Sequence, residues 1–337
     1  MADSYTVLAG KLGYAGSERL KKVLRRLMDE EEAAIVASLP CSVSELAQKL
    51  GKSEENVNSK LKGLFEKGVI FMTSKGYQFA RDILQLHDAT ATDVRMDRVW
   101  GRELLDLWED FCEAEWYADW AKFVKALNTP VWRIIPARKA ISEETKLLPS
   151  EDVQAILDKS TRFALAQCSC RRIVARCDSP LDVCLQLNRA AEYAINRGSG
   201  KELTRDGAMK IMDVAEEAGL VHSVYNTSGI PNVICNCCAD CCVFYYPLTK
   251  FSVLEKGVAR SRFQAEVDKA SCKGCQTCIE RCPFEALEMV KVLGEKKLKA
   301  QVISEKCFGC GVCVVGCESA AMKLVAVRPP EHIPAQE

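Results

Sequence analysis

The sequence predicts an α+β protein that is made of several domains and folded throughout. Three observations carry this prediction. Residues 1–82 show the helix and hairpin pattern of a winged helix-turn-helix, residues 83–255 are mostly helical and rich in cysteine, and residues 256–328 repeat one cysteine pattern inside two similar β-loop-helix-β halves. The expected domains are a winged-helix-like domain (1–82), a helical, aromatic-rich linker domain (83–165), a Cys-rich domain (166–255), a domain with the duplicated pattern (256–328) and a tail (329–337).

The composition is that of a globular protein without an overall charge. Of 337 residues, 48% are hydrophobic, and 46 Lys plus Arg balance 46 Asp plus Glu. Such a chain has no general attraction for nucleic acid or anionic lipid, so nucleic acid is not an expected partner. The start Met1-Ala2-Asp3-Ser4 has no basic segment before an apolar run, and no apolar stretch approaches about 18 residues. We therefore expect no membrane span and a cytoplasmic location, where the nineteen cysteines are reduced and can bind metal.

The first 82 residues carry the signals of a three-helix unit followed by a hairpin. Apolar residues recur at helical spacing in two stretches, Leu20, Val23, Leu24 and Leu27, and then Val57, Leu61, Leu64 and Phe65. Between them, Ser42 and Glu45 form the capping box of a short helix. Val69–Thr73 and Tyr77–Ala80 then alternate around Ser74-Lys75-Gly76, which predicts a hairpin with Gly in its turn. This order of elements is that of a winged helix.

The third helix of this unit would read DNA if the domain were a regulator. Residues 54–67 carry three lysines against three glutamates and no arginine, whereas phosphate contacts dominate affinity for DNA. The charge balance therefore favours a docking or dimerisation module over DNA binding, and both interpretations stay open.

The next stretch is helical and unusually aromatic. Trp100, Trp108, Phe111, Trp116, Tyr117, Trp120 and Phe123 lie within 24 residues. Core packing is the favoured interpretation, and shielding of a cluster or lining of a ligand pocket is the alternative. Thr129–Pro136 then reads as a strand closed by prolines, and a capped helix is expected to begin at Ser150. The isolated Cys41 and Cys112 are expected to be buried small hydrophobic residues.

The most informative pattern is Cys272-x2-Cys275-x2-Cys278-x3-Cys282-Pro283, repeated 35 residues later from Cys307 to Cys317. Thiolates at this spacing bind [4Fe-4S] clusters, and the fourth cysteine of each run reaches the cluster of the other run. The expected ligands are Cys272, Cys275, Cys278 and Cys317 for the first cluster, and Cys307, Cys310, Cys313 and Cys282 for the second. Two four-Cys zinc sites are the alternative, although zinc modules usually separate two CxxC pairs by a longer spacer.

This segment resembles a bacterial-type two-cluster ferredoxin domain. The resemblance implies a ferredoxin fold with two [4Fe-4S] clusters. One difference is Glu318, which stands where a second proline is common in such domains, so the turn after Cys317 can differ.

A second cysteine field precedes the duplicated run. It contains Cys168, Cys170, Cys177, Cys184, Cys235, Cys237, Cys238, Cys241 and Cys242. Adjacent cysteines in extended backbone point to opposite faces, so Cys237 and Cys238 cannot easily bind one ion. We therefore expect two further centres, each with thiolates from both halves of the field, as iron–sulfur clusters or with zinc at one of them. Eight cysteines would fill two cubane clusters and leave the ninth over.

A helix from Thr204 to Gly219 separates the two halves of this field, and Leu220-Val221-His222 follows it. Arg171 and Arg172 can offset the charge of thiolate-bound clusters. His222 is either a polar cap of a turn or a ligand or proton donor at an open cluster.

The cysteine field resembles that of iron–sulfur proteins of strict anaerobes described as 4Fe-4S ferredoxin-domain proteins. The residues that carry the resemblance are Cys168-Ser-Cys170-Arg171, the Gly219-Leu-Val-His222 turn and the Cys235-Asn-Cys-Cys-x2-Cys-Cys242 run, and it covers residues 130–325. It implies cluster binding and electron transfer but names no substrate.

No GxGxxG after a strand and no Walker-type GxxxxGK[ST] is present, so no nucleotide or flavin is indicated, and no residue is indicated as catalytic. The favoured function is relay of low-potential electrons, as an electron-transfer protein or subunit, to or from an anaerobic oxidoreductase. Two alternatives remain, an oxidoreductase with an open central cluster and a redox-sensing winged-helix regulator.

Overall fold

The computed structural model describes residues 3–74 and 76–336. Lys75, the middle residue of the predicted turn, lies outside them, as do Met1 and Ala2. The described chain forms two compact units. The first contains the residues up to Trp116, Ala166–Ala175 and Tyr193–Lys201, and the second contains Tyr117–Leu165, Arg176–Glu192 and the residues from Glu202 on.

Helices and strands are mixed along the described chain. The α-helices are α1 (Ser4–Lys11), α2 (Glu18–Leu27), α3 (Glu30–Ala37), α4 (Val43–Leu50), α5 (Glu54–Lys67), α6 (Ile83–Ala91), α7 (Asp97–Phe111), α8 (Tyr117–Lys125), α9 (Val153–Asp158), α10 (Ser169–Val174), α11 (Asn188–Arg197), α12 (Arg205–Glu217), α13 (Tyr246–Lys250), α14 (Leu254–Gly257), α15 (Thr277–Glu280) and α16 (Val312–Val315).

The strands are β1 (Ile70–Thr73), β2 (Gly76–Phe79), β3 (Trp132–Ile134), β4 (Phe163–Gln167), β5 (Asp182–Leu187), β6 (Lys201–Leu203), β7 (Val221–Tyr225), β8 (Val233–Cys237), β9 (Val258–Ala259), β10 (Phe263–Val267), β11 (Leu287–Val290), β12 (Lys299–Val302) and β13 (Met322–Ala326).

The first unit begins with elements at the predicted positions. In α2, Leu20, Val23, Leu24 and Leu27 are buried, because their spacing places them on one face of the helix. Ser42 and Glu45 form a reciprocal capping box at the start of α4. Strands β1 and β2 pair antiparallel, with Ile70 opposite Phe79. Later segments complete this unit, since Phe65 and Phe71 both pack their rings on Tyr193.

The aromatic stretch is divided between the two units. Trp100, Trp108, Phe111 and Trp116 are buried in the first unit, where the indole of Trp108 donates to Thr90. Tyr117 is buried in the second unit, whereas Phe123 is 54% exposed. Core packing therefore accounts for most, but not all, of these rings. Of the isolated cysteines, Cys112 is buried as expected, but Cys41 is only half-buried.

The second unit is built on a seven-stranded sheet with the order β6-β4-β5-β8-β7-β3-β9, formed almost wholly from its own residues. The prediction of a mostly helical Cys-rich domain is wrong in this respect, because residues 166–255 contribute β5 to β8. Cys184 and Cys235 lie within strands, and their neighbours alternate between buried and partly exposed positions. The predicted strand at Thr129–Pro136 is present as β3.

Two helices border this sheet. The helix expected at Ser150 begins instead at Val153, because Asp152 accepts from the amide of Gln154 and so caps it. Helix α12 is capped by Thr204 as predicted, buries Ala208, Met212 and Ala215, and is followed by Gly219 with φ +75°.

The C-terminal part of the second unit consists of two antiparallel pairs, β10 with β13 and β11 with β12. Val267 lies opposite Met322, and Leu287 lies opposite Val302. The short helices α15 and α16 each begin two residues after the second cysteine of a loop and contain its third, Cys278 or Cys313, and the two helices contact one another. Among the described residues, no helix is both long and apolar enough to cross a membrane.

Candidate metal centres

The duplicated run forms two cysteine-lined cavities. The first is lined by Cys272, Cys275, Cys278 and Cys317, and the second by Cys282, Cys307, Cys310 and Cys313. We call these the first and the second ferredoxin site. Each takes three cysteines from one loop and one from the other run, so the structure brings together the crossed sets that the spacing predicts.

The two ferredoxin sites differ in how deeply their cysteines are buried. All nineteen cysteines lie within the described residues, and Cys275 alone among them is exposed. Hydrogen bonds from the hydroxyl and the amide of Thr277 lower the pKa of Cys275. Burial, in contrast, raises the pKa of Cys310 to about 12. A metal centre must therefore displace a firmly held proton at Cys310, whereas Cys275 loses its proton more easily.

The loop of the second site is fixed to the chain that precedes it. The amide of Ser261 donates to Phe308 O at 3.0 Å, and its hydroxyl donates to Gly309 O at 2.7 Å. The amide of Ala137, which follows β3, donates to Cys310 O at 2.8 Å. The seven-stranded sheet and the second ferredoxin site are thus joined by backbone contacts.

A third group of donors lies in the Cys-rich part of the second unit. The sulfur atoms of Cys177, Cys238 and Cys241 and a carboxylate oxygen of Asp240 lie within 4.8 Å of one another. Cys177 Sγ is 3.7 Å from the sulfur atoms of both Cys238 and Cys241. We call this the first central site. Three sulfur donors and one carboxylate suit zinc or an iron–sulfur cluster.

The second central site consists of Cys184, Cys235, Cys237 and Cys242. Cys242 Sγ donates to Cys237 Sγ at 3.4 Å, and the side-chain Nε2 of Gln186 donates to Cys184 Sγ at 3.0 Å. A hydrogen bond with Cys184 raises the pKa of Cys235 well above its ordinary value. The two members of each adjacent pair therefore lie in different sites. Cys237 and Cys242 belong to the second central site, and Cys238 and Cys241 belong to the first.

The remaining two cysteines of the field belong to the first unit. Cys168 precedes α10, and a hydrogen bond with Cys170, together with burial, raises the pKa of Cys168 well above its ordinary value. Arg172 in the same helix donates to Ala91 O and to the carboxylate of Asp97, so it has a structural role in this unit. Within the second unit, the field therefore supplies seven cysteines and Asp240.

His222 lies in β7 within a buried polar chain rather than capping a turn. Its Nδ1 is 2.6 Å from Asn236 Oδ1, and its Nε2 is 3.2 Å from Glu216 Oε1. Asn236, which separates Cys235 from Cys237, also donates to Val183 O at 2.6 Å. Because both ring nitrogens of His222 contact side-chain oxygens, neither is available to bind a metal in this arrangement.

Glu216 is the acceptor at the end of this chain. It is fully buried and accepts from the amides of Arg138 at 2.6 Å and Lys139 at 3.1 Å. Burial opposes its charge, but hydrogen bonds from His222 and from these amides hold the pKa of Glu216 below its usual value of 4.5. Arg281, between Cys278 and Cys282, donates to Glu216 O at 2.7 Å. The buried chain therefore links the Cys-rich strands to the ferredoxin loops.

Asp240 is the site residue that the sequence reasoning missed. It stands between Cys238 and Cys241, so its place within the cysteine run was the available signal. A count of cysteines alone passes over a carboxylate ligand.

Comparison with known proteins adds one match. Residues 271–321 match the family model of the 4Fe-4S dicluster domain, and this range contains all eight cysteines of the two ferredoxin sites. No curated protein and no solved structure matches the chain. The chain therefore contains a ferredoxin-like iron–sulfur domain, which supports an electron-transfer role in general.

Proposed function

We propose that this protein is a multi-cluster iron–sulfur relay that passes low-potential electrons to or from an anaerobic oxidoreductase. The observation that carries the proposal is the occurrence of four sulfur-lined sites in one compact unit. A bound iron–sulfur cluster supplies one-electron oxidation and reduction. The chain supplies the thiolates and leaves Cys275 of the first ferredoxin site at the surface, whereas the other cysteines of the four sites are buried or half-buried.

Metal analysis tests this proposal directly. Anaerobically purified protein should contain about sixteen iron atoms and as many acid-labile sulfides, because four cubane clusters hold four of each. Cys238→Ala and Cys242→Ala should each lower the iron content, with loss of a different EPR signal, since they lie in different central sites. Cys41→Ala, outside every site, is the control. About eight iron atoms with stoichiometric zinc would reject the central half of the proposal and keep the ferredoxin half.

Crossed ligation in the ferredoxin domain is also part of the proposal. Cys282 lies in the first run but lines the cavity of the second. Cys282→Ala should therefore damage the cluster bound by Cys307, Cys310 and Cys313, whereas Cys317→Ala should damage the cluster of the first loop. EPR of the two reduced variants distinguishes these effects. Loss of the first-loop signal alone in Cys282→Ala would show that the ligands are not crossed.

Asp240 favours a second candidate function, an oxidoreductase with an open cluster. A carboxylate is a harder and more easily displaced ligand for iron than a thiolate, so the first central site offers one exchangeable position. The protein prepared for metal analysis can also be used to distinguish the relay from the oxidoreductase with an open cluster. A shift of a central EPR signal on addition of cyanide supports ligand binding at that position, and unchanged signals support the relay.

Partners and location belong to the same proposal. A relay needs a donor and an acceptor protein, and residues 1–82 could mediate association with one of them or with a second copy. The neutral helix α5 is a poor DNA reader, so a nucleic-acid partner is not proposed. A cytoplasmic location agrees with cysteines kept reduced for iron. Sedimentation of the chain alone and with a candidate donor would test self-association and partner binding.

A further inference from the structure

One aromatic side chain lies between the second central site and the second ferredoxin site. Tyr245 follows Cys242 by one turn, and its amide donates to Cys242 O at 3.0 Å. Its side chain is only 1% exposed, and its hydroxyl is hydrogen-bonded to Ser223 Oγ. Ser223 lies opposite Cys235 in the pairing of β7 with β8. The hydroxyl is therefore held on the strand pair that carries the second central site.

The Tyr245 ring also contacts the ferredoxin domain. It packs on Phe284 in an edge-to-face arrangement, with 5.6 Å between the ring centres and 72° between the planes. Phe284 lines the second ferredoxin cavity two residues after Cys282, and it stacks on Phe308 with ring centres 4.5 Å apart. Phe308 directly follows Cys307. The three rings form a continuous contact from one site to the other.

The electrostatics agree with this position. Burial, followed by the thiols of Cys237, Cys242 and Cys310, raises the pKa of Tyr245 well above its ordinary value. Cys237 and Cys242 belong to the second central site, and Cys310 belongs to the second ferredoxin site. The ring is thus within electrostatic range of both.

Because these contacts connect the Cys-rich strands to a ferredoxin loop through side-chain rings, we propose that Tyr245 is the bridge through which the second central site and the second ferredoxin site exchange electrons. One electron leaves one site and arrives at the other, while the phenol stays neutral, keeps its proton and its bond to Ser223, and is not itself oxidised. The inference rests on the proposed function, since both sites must hold redox centres.

The test measures how an electron redistributes inside the loaded full-length protein. A light flash photoreduces deazaflavin, which then delivers less than one electron per chain. Samples are frozen at successive times after the flash and examined by EPR. In Tyr245→Leu the rate of electron transfer between the second ferredoxin site and the second central site should fall several-fold. The iron content and the final sizes of the two EPR signals should stay unchanged. Tyr245→Phe, which keeps the ring, should restore the wild-type rate. Tyr225→Leu removes a ring of the same size at a 42% exposed position and should have no effect.

The outcomes separate this inference from the proposed function. Absence of a central EPR signal in the wild type would reject the relay itself. A central signal with wild-type redistribution in Tyr245→Leu would reject the bridge and leave the relay standing. Phe284→Leu breaks the same ring contact from the ferredoxin side. It should slow the same phase, and a wild-type rate in that variant would equally overturn the bridge.

Discussion

Gly309→Ala should abolish the second ferredoxin cluster. Gly309 has φ +70°, which an alanine adopts only with strain, and an added Cβ would overlap Phe263 O and Ser261 Oγ. These atoms cannot move away freely, because Phe263 begins β10 and Ser261 is hydrogen-bonded to the same loop. Iron content should fall by about four atoms per chain, with loss of the EPR signal assigned to Cys307, Cys310 and Cys313.

Gly294→Ala is the matched control for this change. Gly294 also has a positive φ, of +82°, but an added Cβ would have no atom within 4 Å. It therefore carries a similar backbone strain, of about 1–2 kcal/mol, without the steric overlap. Full iron content in Gly309→Ala, or equal losses in both variants, would show that the packing of the second loop does not control cluster binding.

Glu216→Ala should destabilise the second unit by about 3–5 kcal/mol, because removal of one partner leaves a buried polar group without compensation. The change deprives His222 Nε2 and the amides of Arg138 and Lys139 of their acceptor. The neighbouring Glu217 pairs with Lys139 at the surface, where its side chain is 69% exposed. Glu217→Ala should therefore cost about 0–1 kcal/mol.

The stabilities of Glu216→Ala and Glu217→Ala are compared with the clusters bound. The quantity measured is the urea concentration at which the visible absorbance of the clusters is lost. Its pH dependence has a defined sign. Because the pKa of Glu216 is lowered in the folded state, its contribution is complete above the usual value of 4.5 and is lost as pH falls through the lower folded value. The difference between the two variants should shrink in acid. A difference that grows in acid, or equal urea midpoints at neutral pH, would contradict this role.

Local signals in the sequence were sufficient for much of the fold. The stripe of α2, the capping box of α4 and the Thr204 cap of α12 depend on residues within a few positions of one another, and all are present. The start of α9 was displaced because both Ser150 and Asp152 can act as a cap, and only the three-dimensional structure shows which one does.

Non-local features were harder to predict. Extended backbone was assumed around Cys237, but the pairing of β8 with β5 and β7 joins segments that are distant in sequence and have no local signal. Tyr193 completes the core of the first unit from more than a hundred residues after Phe71, and no periodic pattern signals such a contact. Seven of the nine predicted sulfur donors lie in the second unit, whereas Cys168 and Cys170 lie in the first. The division of these seven between two sites depends on the backbone directions of β8 and of the turn after it.

The exposure of Cys275 affects how long the cluster of the first ferredoxin site lasts in air. Oxidants attack thiolates and clusters that they can reach, and reactivity rises with thiolate character. The first ferredoxin site has its least protected corner at Cys275, whereas Cys310 in the second site is buried. Damage by dioxygen should therefore begin at the surface and advance inward, so that brief aeration leaves a protein that has lost its outermost cluster while the second ferredoxin site is still intact.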